Sequence, residues 1–475
     1  MNTYQWPRAI FVLALLSVLP LSAAAQTRHL TVVFNSEALP PDAHAIIEAA
    51  GGTVAATVPE IGVMVIDGPT AIIDVLSSNP AIAAVGPELT MGVGDRSMVD
   101  GLAEASSVDV STANRYMKYQ WDIKQVTNNG ASFGIWPGSH NTVVAIVDSG
   151  INTKHLDLIT NYLGGRNFVG VGGSDRKNPD PLETGNPNQV EDRNGHGSHI
   201  AGTIAGNGEI LGVGPNLAYR AYRVLDANAR GLDSWILRGI VAAVKDRVDV
   251  ISISICGVDL MAGGFWTDPD TGIRYRFRNI PGFLAYRRAF QYAAHNDVVV
   301  VAAAGNDAVN IANPAELTAY LNRIHGAEGY EVIGASREVP ASVPGVVTVS
   351  ATSPKYSLAS YSNYGPGAID ITAPGGDYRA SRRIADLCYS AYMDLDDGYD
   401  YYAWMEGTSM ATPKVAAVAA LIIDQAKSAG VRLTAAQVIT RLQQTAIDIG
   451  KGGADQYFGH GFVSAYDALY AKSRR

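Results

Sequence analysis

Apolar runs and their interruptions divide the chain into unequal parts. Near the N-terminus "HLTVVF" alternates as a strand, and "PPDAHAIIEAAGG" reads as a short helix stopped by glycines. "TVAATVP" and "IGVMVIDG" are two further strands, "PTAIIDVLSSNP" a helix and "IAAVGPEL" a closing strand. The order β-α-β-β-α-β over residues 26–90 predicts a small ferredoxin-like α+β unit. Across 91–119 the periodicity fades into "GVGDRSMVDGLAEASSVDVSTANRYMK", which reads as a linker open to proteolytic cutting.

From 120 to 475 strands without polar alternation are separated by helices. "TVVAIVDSG", "LAYRAYRVLD", "VDVISISI" and "VVVVAAAGND" read as buried strands. "GHGSHIAGTIAG", "DSWILRGIVAAVKDR" and "PGFLAYRRAFQYAAHND" read as the helices between them. This pattern predicts an α/β domain, a three-layer sandwich around a mainly parallel sheet. Ligands of such sheets sit beyond the carboxyl ends of the strands, where Asp148 and Asn306 fall. Three stretches interrupt the alternation, near 258–279, 311–339 and 377–402, and read as surface loops.

Composition narrows the function. With 47% hydrophobic and 17% charged residues the chain can bury a large core. A net charge of -9 supplies no basic face, so no nucleic-acid partner is expected. Arg8 precedes the apolar run "AIFVLALLSVLPLSAAAQ", which ends on Ala23-Ala24-Ala25. This predicts a secretory signal over 1–25, cut after Ala25. A membrane anchor fits poorly, because the run is shorter than the ~20 residues a span requires and contains Pro20. The expected product is secreted, with no membrane attachment after signal cleavage. Cys256 and Cys388 are the two cysteines; a disulfide and two free thiols both stay open.

Three segments carry candidate chemistry: "VAIVDSGI" with Asp148, "NGHGSHIAGT" with His196, and "GTSMATP" with Ser409. Attack by a serine on a carbonyl needs a base to take the hydroxyl proton and a carboxylate to orient that base. Singly, Asp148 could close a turn, His196 could start a helix and Ser409 could cap one. Together they supply one acid, one imidazole and one alcohol.

These segments resemble the subtilisin-like serine peptidases, in the order Asp, His, Ser, and the likeness extends to "ASYSNYGPGAIDITAPG" and "FGHGFVSAYDAL". The resemblance implies a Ser-His-Asp triad: Ser409 as nucleophile, His196 as general base and then acid, Asp148 as the group that orients the imidazole. His199, one helical turn on, reads as a packed histidine. Asn306 would line the oxyanion hole. Gly407 and Thr408 would form a tight turn, and Pro413 would lie in the helix's first turn. Polypeptide substrates would add a strand to edges formed by Ser254-Ile255-Cys256-Gly257 and Ala303-Ala304-Gly305. Residues 26–90 would be the chain's own propeptide, an intramolecular inhibitor of a monomeric zymogen. The expected activity is therefore that of a secreted serine endopeptidase. Its rival is a subtilisin-like peptide-binding protein that is weak or inactive, and an ester hydrolase with a Gly-x-Ser-x-Gly elbow fits poorly.

Four departures from the family pattern stand out: Ser198, Lys414, Cys256 and Glu406, the last a carboxylate beside the nucleophile that would oppose an oxyanion. Phe265, Trp266 and Tyr275 would either roof a pocket or anchor their loop. No cofactor is required for the chemistry. A structural calcium stays open, since "AGNGEILGVGP" is short for the family's metal loop and Asp394, Asp396, Asp397 and Asp400 read as a solvated acidic loop.

Overall fold

The computed structural model describes residues 27–93, 103–104, 115–175, 178–260, 264–269, 271–277, 281–394 and 400–470. The expected signal segment, most of the linker, and Asp396 and Asp397 lie outside the described residues.

Strands rich in Val, Ile and Ala build the centre of the large domain. Seven of them form one sheet in the order Ile371–Pro374, Val346–Thr352, Val299–Ala303, Val250–Ile253, Val143–Asp148, Ala218–Arg223, Tyr162–Asn167. Every neighbouring pair in it is parallel. The four strands at its centre and left carry no exposed residue, because helices cover both faces. Helices His196–Ala205 and Thr408–Ser428 cover one face. Asp233–Lys245 and Pro281–His295 cover the other. Val143–Asp148 ends on Asp148, and Val299–Ala303 leads into Asn306, so both side chains reach the same sheet edge.

The N-terminal unit has the expected topology. Its antiparallel sheet runs Thr53–Val58, Val63–Pro69, Thr27–Phe34, Ile82–Pro87, with helices Ala43–Ala49 and Ile72–Ser77. Val33, Val58, Ile61 and Val63 share a core cluster with Tyr286, Ala289 and Phe290 of the large domain. The sheet thus packs directly on the helix Pro281–His295.

The three interruptions are not bare surface loops. Gly257–Leu260 pairs with Ser336–Val339, and Gly264–Thr267 pairs with both Arg274–Phe277 and Tyr330–Val332. Cys388–Ala391 pairs with Tyr401–Met405, and Pro314–His325 is a helix. Trp266, Tyr275 and Val332 bury themselves with Leu30, Val32 and Ile66 of the N-terminal unit. Trp266 and Tyr275 are therefore anchors, and what they anchor to is that unit, while Phe265 lies under Arg274 outside that cluster.

Candidate active site

The helix Thr408–Ser428 is almost wholly buried, and its N-cap residue is Gly407, which has no side chain to cap it. Gly407 at its N-cap has φ of 151°, a conformation that favours glycine. Ser409 is the second helical residue, and its hydroxyl donates to the Ser254 carbonyl at 3.1 Å. The cap role is excluded. Pro413 lies in the second turn rather than the first, so it leaves the Ser409 carbonyl without its helical N–H partner. The Ser254 hydroxyl donates to that carbonyl at 2.9 Å and makes good the loss.

His196 opens the helix His196–Ala205, which packs against the serine's helix in one core. Gly197 permits a close approach to the strand end: a Cβ there would stand 2.2 Å from the Gly150 carbonyl oxygen. His196 Nδ1 lies 2.8 Å from Asp148 Oδ1, with both side chains buried. The same Oδ1 accepts the Ser149 N–H at 2.7 Å. An acceptor opposite Nδ1 fixes the proton there, so Nε2 presents its lone pair. Nε2 is buried and has no hydrogen-bond partner among the described residues. The structure joins the acid to the base, while the serine hydroxyl is turned to Ser254 instead of His196.

Asp192, absent from the sequence reading, organises this corner. Its Oδ1 accepts from Ser149 Oγ (2.9 Å), Asn194 N (3.0 Å) and Gly195 N (2.8 Å). Its Oδ2 accepts from Ser198 N (2.8 Å) and Ser198 Oγ (2.7 Å). One buried carboxylate thereby fastens the start of the histidine helix to the residue after Asp148. The serine at 198 is part of that fastening.

Asn306 Oδ1 accepts from Thr408 N and Thr408 Oγ1, both at 2.9 Å. Because a backbone N–H can only donate, the amide orientation is settled and Nδ2 is the group left to donate. Thr408 Oγ1 also accepts the Gly305 N–H at 3.2 Å. Thr408 thus ties the Asn306 loop to the serine's helix, a role no motif announced.

A segment of the chain itself lies against the stretch 254–257, whose Ser254 carbonyl holds the Ser409 hydroxyl. Thr90–Gly92 pairs antiparallel with Arg230–Leu232 on one side. On the other, Gly92 N donates to Cys256 O at 3.4 Å and Cys256 N to Gly92 O at 3.2 Å. Ser254-Ile255-Cys256-Gly257 is thus a pairing edge, and its counterpart is Arg230–Leu232. Ala303-Ala304-Gly305 is not the second edge. Its Ala304 carbonyl accepts Asn363 Nδ2 at 3.0 Å and its Gly305 N–H is held by Thr408, so it stands as a wall. Glu88, just upstream, accepts the Ser234 N–H at 3.0 Å, and Asp233 N donates to Leu89 O at 3.1 Å. These contacts cap the helix Asp233–Lys245 with N-terminal residues.

The departures resolve individually. Glu406 is buried and accepts the Tyr378 N–H at 2.5 Å, so its carboxylate is held by a turn. Burial raises its pKa above the ordinary glutamate value. Lys414 is fully buried and pairs with Asp122 at 2.8 Å. Burial alone would lower its pKa, but Asp122 and Cys388 together outweigh this and hold it above the ordinary lysine value. His199 Nε2 lies 3.2 Å from the Cys388 carbonyl. Burial and the nearby Lys414 ammonium push its pKa down to about 3, so it is a neutral packing residue. Cys256 and Cys388 are both free, Cys388 Sγ lying 3.7 Å from Lys414 Nζ.

Asp394 and Asp400 are engaged rather than merely solvated: Asp394 pairs with Lys154 at 2.6 Å and Asp400 accepts the Leu156 N–H at 3.2 Å. Among the described residues no three His, Cys, Asp or Glu side chains gather as a metal site. None of the described helices is long and apolar enough to cross a membrane.

Known proteins share this arrangement of chain. The nisin leader peptide-processing serine protease NisP of Lactococcus lactis subsp. lactis is 33% identical over 337 residues, covering 69% of this chain and 47% of that protein. The match therefore spans about half the length of that relative. Subtilisin of Bacillus pumilus is 31% identical over 332 residues, covering 69% of this chain and 90% of the relative. The crystal structure of the epidermin leader peptide processing protease EpiP from Staphylococcus aureus superposes with a TM-score of 0.75. It covers 95% of this chain and 99% of that one at 26% identity. The subtilase family model matches residues 139–461, the stretch that holds Asp148, His196, Asn306 and Ser409, and the chain belongs to that family.

Proposed function

We propose that the protein is a secreted serine endopeptidase made as a self-inhibited precursor. Ser409 Oγ attacks the carbonyl carbon of a peptide bond and passes its proton to His196 Nε2. Asp148 holds the imidazole and stabilises its charged form. The resulting oxyanion takes hydrogen bonds from Asn306 Nδ2 and the Ser409 N–H, the latter in the first helical turn, where N–H groups lack helical partners. His196 then protonates the leaving amine, and water hydrolyses the acyl-enzyme by the same route. The relatives NisP and EpiP are named for processing leader peptides, which supports a polypeptide substrate.

The observation that carries this reading is the strand Thr90–Gly92, seated between Arg230–Leu232 and Cys256 as a substrate would be. It supports a propeptide role for residues 26–90, whose end occupies the cleft until the following linker is cut. The turn of the Ser409 hydroxyl toward Ser254 favours the rival reading, a peptide binder without turnover. Rotation about the single Cα–Cβ bond reorients that hydroxyl. Maturation of the purified full chain separates the two. Intact mass and N-terminal sequencing are expected to show loss of the N-terminal unit in the wild type and an uncut chain in Ser409→Ala. A Ser409→Ala protein that matures alone at the wild-type rate would refute self-processing.

A further inference from the structure

The inserted strands take no part in the chemistry above, yet they build a surface of their own. Gly264–Thr267, Arg274–Phe277 and Tyr330–Val332 form one small sheet, and the helix Pro314–His325 packs against it. Asn322 of that helix accepts the Val332 N–H at 2.7 Å and donates to the Val332 carbonyl at 3.2 Å. Helix and sheet thus hold each other without help from the N-terminal unit. Trp266, Tyr275, Leu321 and Val332 lie in one cluster, each at most 5% exposed, and the two rings stack at 6.1 Å. The N-terminal unit is what buries them, and its Thr70 hydroxyl donates to the buried Asp268 carboxylate at 2.9 Å. Loss of that unit on maturation uncovers the cluster. Two aromatic side chains that bury roughly 150–250 Å² each, with two aliphatic ones beside them, make an apolar patch of the size that marks a binding surface.

The path of the chain says what covers it. Ile82–Pro87 is the outer strand of the N-terminal sheet, and Arg274–Phe277 packs beside it. Ile82, Val85 and Leu89 join the apolar cluster, and directly after them Thr90–Gly92 enters the cleft against Cys256. One continuous peptide therefore runs over the patch and into the cleft. A substrate seated as Thr90–Gly92 is seated carries its preceding residues the same way, because antiparallel pairing fixes its direction and an extended chain advances about 3.3 Å per residue. Leu89 and Ile82 stand three and ten positions before Gly92, so that span of a substrate is what reaches the patch.

We propose that the surface around Trp266 and Tyr275 is, in the matured enzyme, a docking site for the stretch of a polypeptide substrate upstream of the cut bond. Apolar side chains of that stretch pack on the two rings, and a hydrogen-bond donor takes the place of Thr70 on Asp268. The proposal rests on the peptidase reading and names its substrate class: a long, extended polypeptide with an apolar upstream segment. Burial of that segment offsets the cost of ordering it. Short peptides use the cleft alone.

The test uses the matured enzyme and three quenched-fluorescent peptides that share one core, three residues on either side of the bond cut best in a mixed library. The first is the core alone. The second adds Pro80–Met91 of this chain in front of it, and the third carries that extension with Ile82→Ser, Val85→Ser and Leu89→Ser. The expected kcat/KM of the second exceeds that of the first by about thirtyfold, the scale of one interface hot spot. The third is expected to fall back to within about threefold of the core. In Trp266→Ala the advantage of the second peptide over the first is expected to drop below about threefold. An extension without gain, a serine extension as good as the native one, or a Trp266→Ala enzyme with the full ratio would overturn the surface assignment and leave the peptidase standing. The serine comparison needs no variant enzyme, so it decides even where Trp266→Ala fails to mature. A cut N-terminal unit that stays on the matured domain through gel filtration would assign the surface to that unit and overturn the proposal. Absence of both turnover and fluorophosphonate labelling would reject the peptidase reading, and the surface assignment with it.

Discussion

Asn306 and Thr408 form a pair in which one side chain aims the other. The amide oxygen of Asn306 is committed to the backbone and hydroxyl of Thr408, so its nitrogen has one direction left. Thr408→Val keeps the backbone bond and the shape but removes both hydroxyl bonds, the one to Asn306 and the one from the Gly305 N–H, of which only the first aims the amide. One net hydrogen bond corresponds to about tenfold, so kcat is expected to fall by about that factor with KM little changed. Steady-state kinetics on one peptide checks this; an unchanged kcat would show that the hydroxyl does not position the amide. Asn306 was legible because it follows an apolar strand in a recognisable stretch. Thr408 was not, because a threonine before the serine reads equally well as a turn residue. Asp192 was hidden for a related reason: its local bonds to Asn194, Gly195 and Ser198 read as a turn and helix start, and only the fold adds Ser149.

At the scale of elements, the helix Thr408–Ser428 is held from several sides. Its Lys414 carries a buried charge answered by Asp122 of the short helix Trp121–Thr127, and its ammonium also donates to the Met410 carbonyl at 2.9 Å. Lys414→Ala strands the Asp122 carboxylate in the core. The expected loss is about 3–5 kcal/mol of unfolding free energy, measured by denaturant titration. A loss under about 1 kcal/mol would mean that the pair is not load-sharing in the folded state. The elements legible in the sequence were those with long apolar runs, such as Val143–Asp148 and Val299–Ala303. Tyr162–Asn167 escaped notice because it is an edge strand, "YLGGRN", with two glycines and half its positions exposed. Arg230–Leu232 is three residues long and gains its meaning only from the segment paired with it. The small strands in the three interruptions were likewise too short and polar to show a period.

Across the whole molecule, the N-terminal unit is bound to the large domain by both burial and polar contacts. Arg288 Nη1 donates to the Ser36 carbonyl at 2.8 Å, Glu88 caps one helix, and Trp266 and Tyr275 pack into the unit's own core. The inserted segment and the unit therefore form a joint surface, and the same docking lays Thr90–Gly92 along the cleft. Sequence pattern gave the unit's topology, while its seat on the helix Pro281–His295 required coordinates. Activation of Ser409 by His196 within this cleft is what the proposed peptidase activity requires. The most direct measurement is covalent labelling of the matured protein by a fluorophosphonate, with the modified residue located by tandem mass spectrometry. The account predicts one label on Ser409, slowed by at least about 10³-fold in a His196→Ala variant matured in trans. Labelling elsewhere, or a rate on Ser409 that is indifferent to His196, would contradict it.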